Sequence, residues 1–196
     1  MTLHPRRNLS IEQYLEREDK SDDRSEYFRG EVFLMGGGTL EHNSIVFNLV
    51  AELKPTLRSG TCRLYGQDLR LWVDSYQLFT YPDLLVVCGS PKLFPGRKDT
   101  VTDASLIIEV LSPSTRDYDA GDKFKFYRSL PSFQEYLLIS QDEVRVEHHF
   151  RQSSNRWLLT EFTDPKAVIP LPTLSGIHLT MGTIYEGVFS SGETPI

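Results

Sequence analysis

Apolar residues recur along this chain with two different periods. Ile11, Tyr14 and Leu15 share one helical face, and Ser10 with Gln13 resembles a capping box ahead of them, so the pattern predicts a short helix there. The segment from Glu18 to Ser25 is charged and turn-rich. Glu26-Tyr27-Phe28 and Glu31–Met35 then read as two short strands joined at Arg29-Gly30, and Gly36-Gly37-Gly38 ends that hairpin. Thr39 is placed to cap a second helix in which Val46, Leu49, Val50, Leu53 and Leu57 keep helical spacing. Pro55 should kink or end the helix near Lys54.

Strand patterns follow at Thr61–Tyr65, Asp68–Val73, Asp83–Cys88 and Ser105–Leu111. A helix is predicted from about Tyr118 to Ser129, stopped by Leu130-Pro131. Glu135–Ile139, Val144–Phe150 and Arg156–Phe162 read as a β-meander. The stretch from Val168 is extended, and Met181–Gly187 suggests a last helical turn. This order implies an α/β (α+β) chain with a mixed central sheet flanked by helices and an additional β-meander. With no repeat, linker or composition break, residues 1–196 are expected to form a single domain.

Composition narrows the picture by exclusion. Apolar residues make up 39% and charged residues 24%, an ordinary globular balance. No apolar run reaches the length of about 18 residues needed to span a bilayer, and the N-terminal segment lacks the apolar stretch of a secretory signal. Cys62 and Cys88 lie in apolar strand-like runs, where buried free thiols and a cytoplasmic location are the expectation. The net charge of −6 argues against a general nucleic-acid coat, but not against a nuclease with a local basic strip.

Two carboxylates carry the chemistry. Asp83 follows Pro82 at the start of the apolar run Leu84–Cys88, and Glu109 interrupts the apolar run Leu106–Leu111. A lone carboxylate inside such a strand is costly unless it is paired or metal-bound. Alone, Asp83 reads as a turn cap, and Glu109 has two readings, a metal ligand or one half of a buried ion pair. Together they open and interrupt two consecutive long strands, which can bring both carboxylates to one cation. Glu31 opens a strand in the same way as Asp83, and an exposed strand end competes with a functional role there.

A Pro-Asp followed by an acid two places before a lysine resembles the PD-(D/E)XK nuclease superfamily. Here the position after Val110 is Leu111, so the cation must come from elsewhere. On the next helix Lys123 and Tyr127 are i,i+4 neighbours. Lys125 lies about 200° around that helix from Lys123, so only one of the two can point inward. The run Glu109-Val110-Leu111-Ser112-Pro113-Ser114-Thr115, with Tyr118-Asp119, Lys123 and Tyr127 after it, resembles the Uma-two family of restriction-endonuclease-like proteins. Gly30-Glu31-Val32, His42-Asn43, Asp68-Leu69-Arg70, Pro82-Asp83 and Val144–His148 are similar to it too, so the likeness runs from about Tyr14 to Tyr185.

The resemblance implies a restriction-endonuclease-like fold and a metal-dependent DNA endonuclease whose lysine has migrated to the following helix. In that reading Asp83, Glu109 and the Val110 carbonyl hold Mg²⁺ (or Mn²⁺), and Lys123 stabilises developing charge or orients water. Glu31 is a candidate for a second metal or a metal-bound water. His42, Tyr127 and Ser112 are candidate substrate or supporting groups, each with a plainer role as a cap, core or turn residue. DNA is the implied substrate, with contacts expected near Lys123, Arg128 and His42, and a homodimer is expected because each site cuts one strand. His148 and His149 alternate on a strand and make a poor joint metal site. Two other classes remain open: a non-catalytic nucleic-acid-binding module, and an oligomerisation protein with Glu109 in a buried ion pair.

Overall fold

The computed structural model describes residues 8–113 and 115–189, so Ser114 and both termini lie outside the described residues. Two sheets form the body. The first has the order β11-β10-β9-β8-β6-β3, built from β3 (Cys62–Gly66), β6 (Leu84–Cys88), β8 (Leu106–Leu111), β9 (Glu135–Ser140), β10 (Val146–Ser153) and β11 (Arg156–Phe162). It is mixed: β8 and β9 run parallel, and its other pairs are antiparallel. The second has the order β2-β1-β5-β4-β7, from β1 (Ser25–Phe28), β2 (Glu31–Leu34), β4 (Arg70–Val73), β5 (Leu78–Thr80) and β7 (Thr100–Val101). The meander therefore extends the central sheet.

Strand alternation sorts side chains into layers. From β8 and β6, Leu106, Ile108, Val110, Leu84 and Val86 face one way. They pack on α2 (Leu40–Thr56), on the hairpin of β12 (Val168–Leu171) and β13 (Ile177–Thr180), and on α5 (Met181–Ile184). Ile107, Leu111, Leu85 and Val87 face the other way, against Leu71, Val73 and Leu78 of the second sheet and Phe126, Tyr127 and Leu130. The outer face of the second sheet buries Tyr27, Trp72 and Phe79 with Tyr14 of α1 (Ile11–Glu18). Glu109 alternates with Ile108 and Val110, so it points between the two sheets.

The local signals act as the sequence suggests at both helix starts. Ser10 and Gln13 form a complete capping box, and Thr39 accepts from the His42 N–H. Arg29 and Gly30 take φ of 49° and 92° in the tight turn between β1 and β2. Pro55 does not end α2 at Lys54: it falls in the last turn, and the helix runs on to Thr56, with the Leu57 N–H still reaching the Leu53 carbonyl.

The predicted helix at Tyr118 starts earlier and is irregular. α3 (Arg116–Tyr118), a π-helical turn (Asp119–Lys123) and α4 (Phe124–Tyr127) follow one another directly. The two cysteines are a correction. Cys62 and Cys88 stand opposite each other on β3 and β6 and form a disulfide, so they are not free thiols. Neighbouring antiparallel strands place them in register, which spacing along the chain does not reveal.

Candidate active site

The two sheets part at one end to leave a cleft of about 390 Å³. Its floor is Asp83, Glu109 and Lys123, joined by Glu26 and Asp119; its walls include Phe33, Leu34, Met35, Pro113 and Tyr118. Strand order explains the floor. β6 and β8 are neighbours, so the residue before β6 lies beside the end of β8. The Asp83 N–H donates to Glu109 Oε2 at 3.2 Å, and the Val110 N–H donates to Asp83 Oδ2 at 2.8 Å. These reciprocal bonds bring the two acids together in one cleft.

Glu109 is 3% exposed and Lys123 6% exposed. Lys123 Nζ lies 3.3 Å from Glu109 Oε1, 3.3 Å from Glu26 Oε1 and 2.9 Å from Asp119 Oδ1. The Tyr127 hydroxyl donates to Glu109 Oε1 at 2.9 Å. Glu26 in turn accepts from the Thr80 hydroxyl. Lys125 is exposed, on the opposite side of the helical segment.

Burial pushes the Glu109 carboxyl up to about 8, with the Lys123 ammonium opposing and the charges of Asp119 and Asp83 adding to the rise. Burial alone would lower the Lys123 ammonium, but the carboxylates of Glu109, Glu26 and Asp119 hold it well above its ordinary value. The cluster thus sets one lysine among three acids, with Asp83 beside them.

His42 completes this end. Its Nε2 is 3.2 Å from both Asp83 carboxylate oxygens. Burial lowers its basicity, but the bond to Asp83 and the Asp83 charge outweigh that and leave it raised. A Cβ on Gly38 would meet His42 Nδ1 at 2.9 Å, so only glycine lets the loop pass this close to the ring.

The surplus of carboxylate charge and the hard oxygen donors of Asp83, Glu109 and Val110 fit Mg²⁺ or Mn²⁺. Among the described residues no three or more His, Cys, Asp and Glu side chains are gathered into a metal cage.

Of the residues singled out from sequence, the structure brings Asp83, Glu109, Val110, Ser112, His42 and Lys123 to the cleft, with Tyr127 behind Glu109. Glu31 is not among its lining. It sits at the turn end of the hairpin, across from Phe28, while Glu26 takes the inward place. Arg128 is exposed and stacks over Phe124, so the basic strip expected at Lys123 and Arg128 does not line the cleft. Glu26 and Asp119 were missed. The signal for Asp119 was its i,i+4 spacing to Lys123; for Glu26 it was an acid alternating with Tyr27 on a strand whose partner face is apolar.

A family model for Uma2, described as "Putative restriction endonuclease", matches residues 11–182. Two uncharacterized Synechocystis sp. proteins are similar. One is 38% identical over 161 residues, 82% of this chain and 91% of the relative; the other is 34% identical over 182 residues, 92% and 93% respectively. A crystal structure of "a putative nuclease belonging to DUF820" from Anabaena variabilis superimposes with a TM-score of 0.72 at 20% identity, covering 92% of this chain and 99% of that one. The fold is therefore restriction-endonuclease-like.

Proposed function

The chain belongs to the Uma2 family, and from that premise we propose that it is a metal-dependent DNA endonuclease, a single domain whose active-site lysine comes from the helical segment after β8. The observation that carries this reading is the meeting of Asp83, Glu109 and Lys123 on one cleft floor. Asp83, Glu109 and the Val110 carbonyl would hold Mg²⁺ or Mn²⁺. Such a cation, when bound, polarises the phosphodiester and lowers the pKa of a bound water.

The chain's own residues do the rest. Tyr127 and the Asp83 N–H fix the two Glu109 carboxylate oxygens in place. Val110 N–H and His42 orient the Asp83 carboxylate. Lys123 holds positive charge at the floor, where charge develops on the phosphate oxygens, and costs little reorganisation because three acids already position it.

Cleavage of both strands of a duplex would use two copies, so a homodimer belongs to this reading; a cytoplasmic location follows from access to DNA alone, since the Cys62–Cys88 disulfide removes free thiols as its ground. No helix among the described residues is long and apolar enough to cross a membrane. One observation favours a non-catalytic binding module instead: Lys123 is fully engaged by Glu26, Glu109 and Asp119.

Glu109→Gln separates the two. It is expected to abolish plasmid nicking and to weaken Mg²⁺ binding in calorimetric titration. A wild-type protein that nicks no DNA form with Mg²⁺ or Mn²⁺ removes the catalytic reading and leaves the binding module.

A further inference from the structure

We propose that the cleft takes an unpaired stretch of DNA, one nucleotide deep, with a base against the wall of Phe33 and Tyr118 and its phosphate over Asp83 and Glu109. This rests on the nuclease reading above and names the form of DNA for it. Three observations lead there.

The first is charge. Proteins that seat duplex DNA neutralise several phosphates at once with basic side chains. Here the cleft lining offers Glu26, Asp83, Glu109 and Asp119 against Lys123 and His42, and both of those are already bound to acids. Among the described residues no arginine lines the cleft. A duplex laid across this opening would bring two rows of phosphates to an acidic surface. An unpaired strand brings one phosphate to the floor, the number a single cation can meet.

The second is shape. The carboxylates lie at the bottom of a cavity of about 390 Å³. That is the size of a pocket for a small molecule, roughly 300–1,000 Å³, rather than a trough for a double helix. Glu109 is buried at its foot, so the scissile phosphate must descend to it without a paired partner strand.

The third is the wall. Phe33 on β2 stands opposite Glu26 and shares its face, and with Tyr118 it lines the cleft, both side chains being only partly buried. Aromatic surface above a polar floor suits a base face, which stacks without regard to sequence. Gln67 and Gln141 add amide groups that can meet base edges.

The test compares a phosphorothioate-linked single strand, which resists cleavage, with its duplex. Binding is read by fluorescence anisotropy on the wild-type protein with Mg²⁺, and cleavage is read separately on unmodified single-stranded and double-stranded circles. The expected result is at least about tenfold tighter binding of the single strand, with a shallow salt dependence set by one or two phosphates. Phe33→Ser, at a partly buried position on an edge strand, is expected to weaken single-strand binding severalfold and leave duplex binding unchanged, with Phe33→Tyr keeping the wild-type affinity.

Equal or tighter binding of the duplex overturns the proposal, as does a folded Phe33→Ser variant that binds the single strand like the wild type. Preferential binding of the single strand without cleavage of either circle overturns the catalytic reading and keeps this one. Preferential cleavage of the duplex does the reverse.

Discussion

At the scale of single residues, the site depends on which of two lysines points inward. Lys123 is buried among Glu26, Glu109 and Asp119, and Lys125 is exposed two positions on. Lys123→Met should therefore cut the nicking rate sharply while Mg²⁺ affinity holds or rises, because it removes a charge that competes for Glu109. Lys125→Ala should behave as the wild type, and the reverse outcome would move the role to Lys125. The stability of Glu109→Gln follows from the same contacts. A buried ion pair that loses one member costs about 3–5 kcal/mol when the other is stranded. Lys123 is not stranded, since Glu26 and Asp119 remain, but the Gln amide has one acceptor where the carboxylate has two, so either the Tyr127 hydroxyl or the Asp83 N–H loses its acceptor. The variant should lose about 1–3 kcal/mol for that one unmade bond, and a loss of about 3–5 kcal/mol in thermal denaturation would show that Lys123 is stranded after all.

At the scale of elements, legibility followed run length. The long apolar runs that became β6 and β8, and the meander β9 to β11, were readable because burial on both faces or clear alternation leaves a strong pattern. The short β5, β7 and β13 carry too few residues for a period to show. Lys123 and Tyr127 were readable as neighbours on one face, but the π-helical turn that carries Lys123 was not, because a single inserted residue leaves no signature in composition. Glu26 was hidden for another reason: its meaning lies in the sheet it faces, and a single strand does not say what it faces.

One element-level tie is open to test by acid. Arg97 bridges Asp19 at the end of α1 to Asp99 just before β7, and this holds the Asp99 carboxyl down at about 2, from an ordinary value of 3.8. A carboxyl held low in the fold stabilises it above the unfolded value, and that contribution disappears as pH falls from about 4 through about 2. Arg97→Ala should leave the melting temperature nearly unchanged at pH 2 and lower it at neutral pH; equal shifts at both would remove the linkage. The disulfide is a second tie, between β3 and β6. Thiol titration of the denatured, unreduced protein should find neither Cys62 nor Cys88. Cys88→Ala should cost about 2–4 kcal/mol in a denaturant melt, as expected for a closed loop of this length.

For the whole molecule, the decisive feature is that the floor of the cleft is shared between two sheets. Glu26 comes from the five-stranded sheet near the start of the chain. Glu109 comes from the middle of the six-stranded sheet, and Lys123 spans the gap between them. β8 also pairs in parallel with β9, a contact that must wait for the crossover between them to be made. Contacts so distant in sequence form late in folding, because loop closure must precede them. Chemical competence should thus arrive as the last event of maturation. On the proposed nuclease reading, a chain still on the ribosome, or one caught half-assembled, would hold every acid it needs and still cut nothing. Stopped-flow refolding should show nicking activity returning only with the slowest phase, after Trp72 has already been buried.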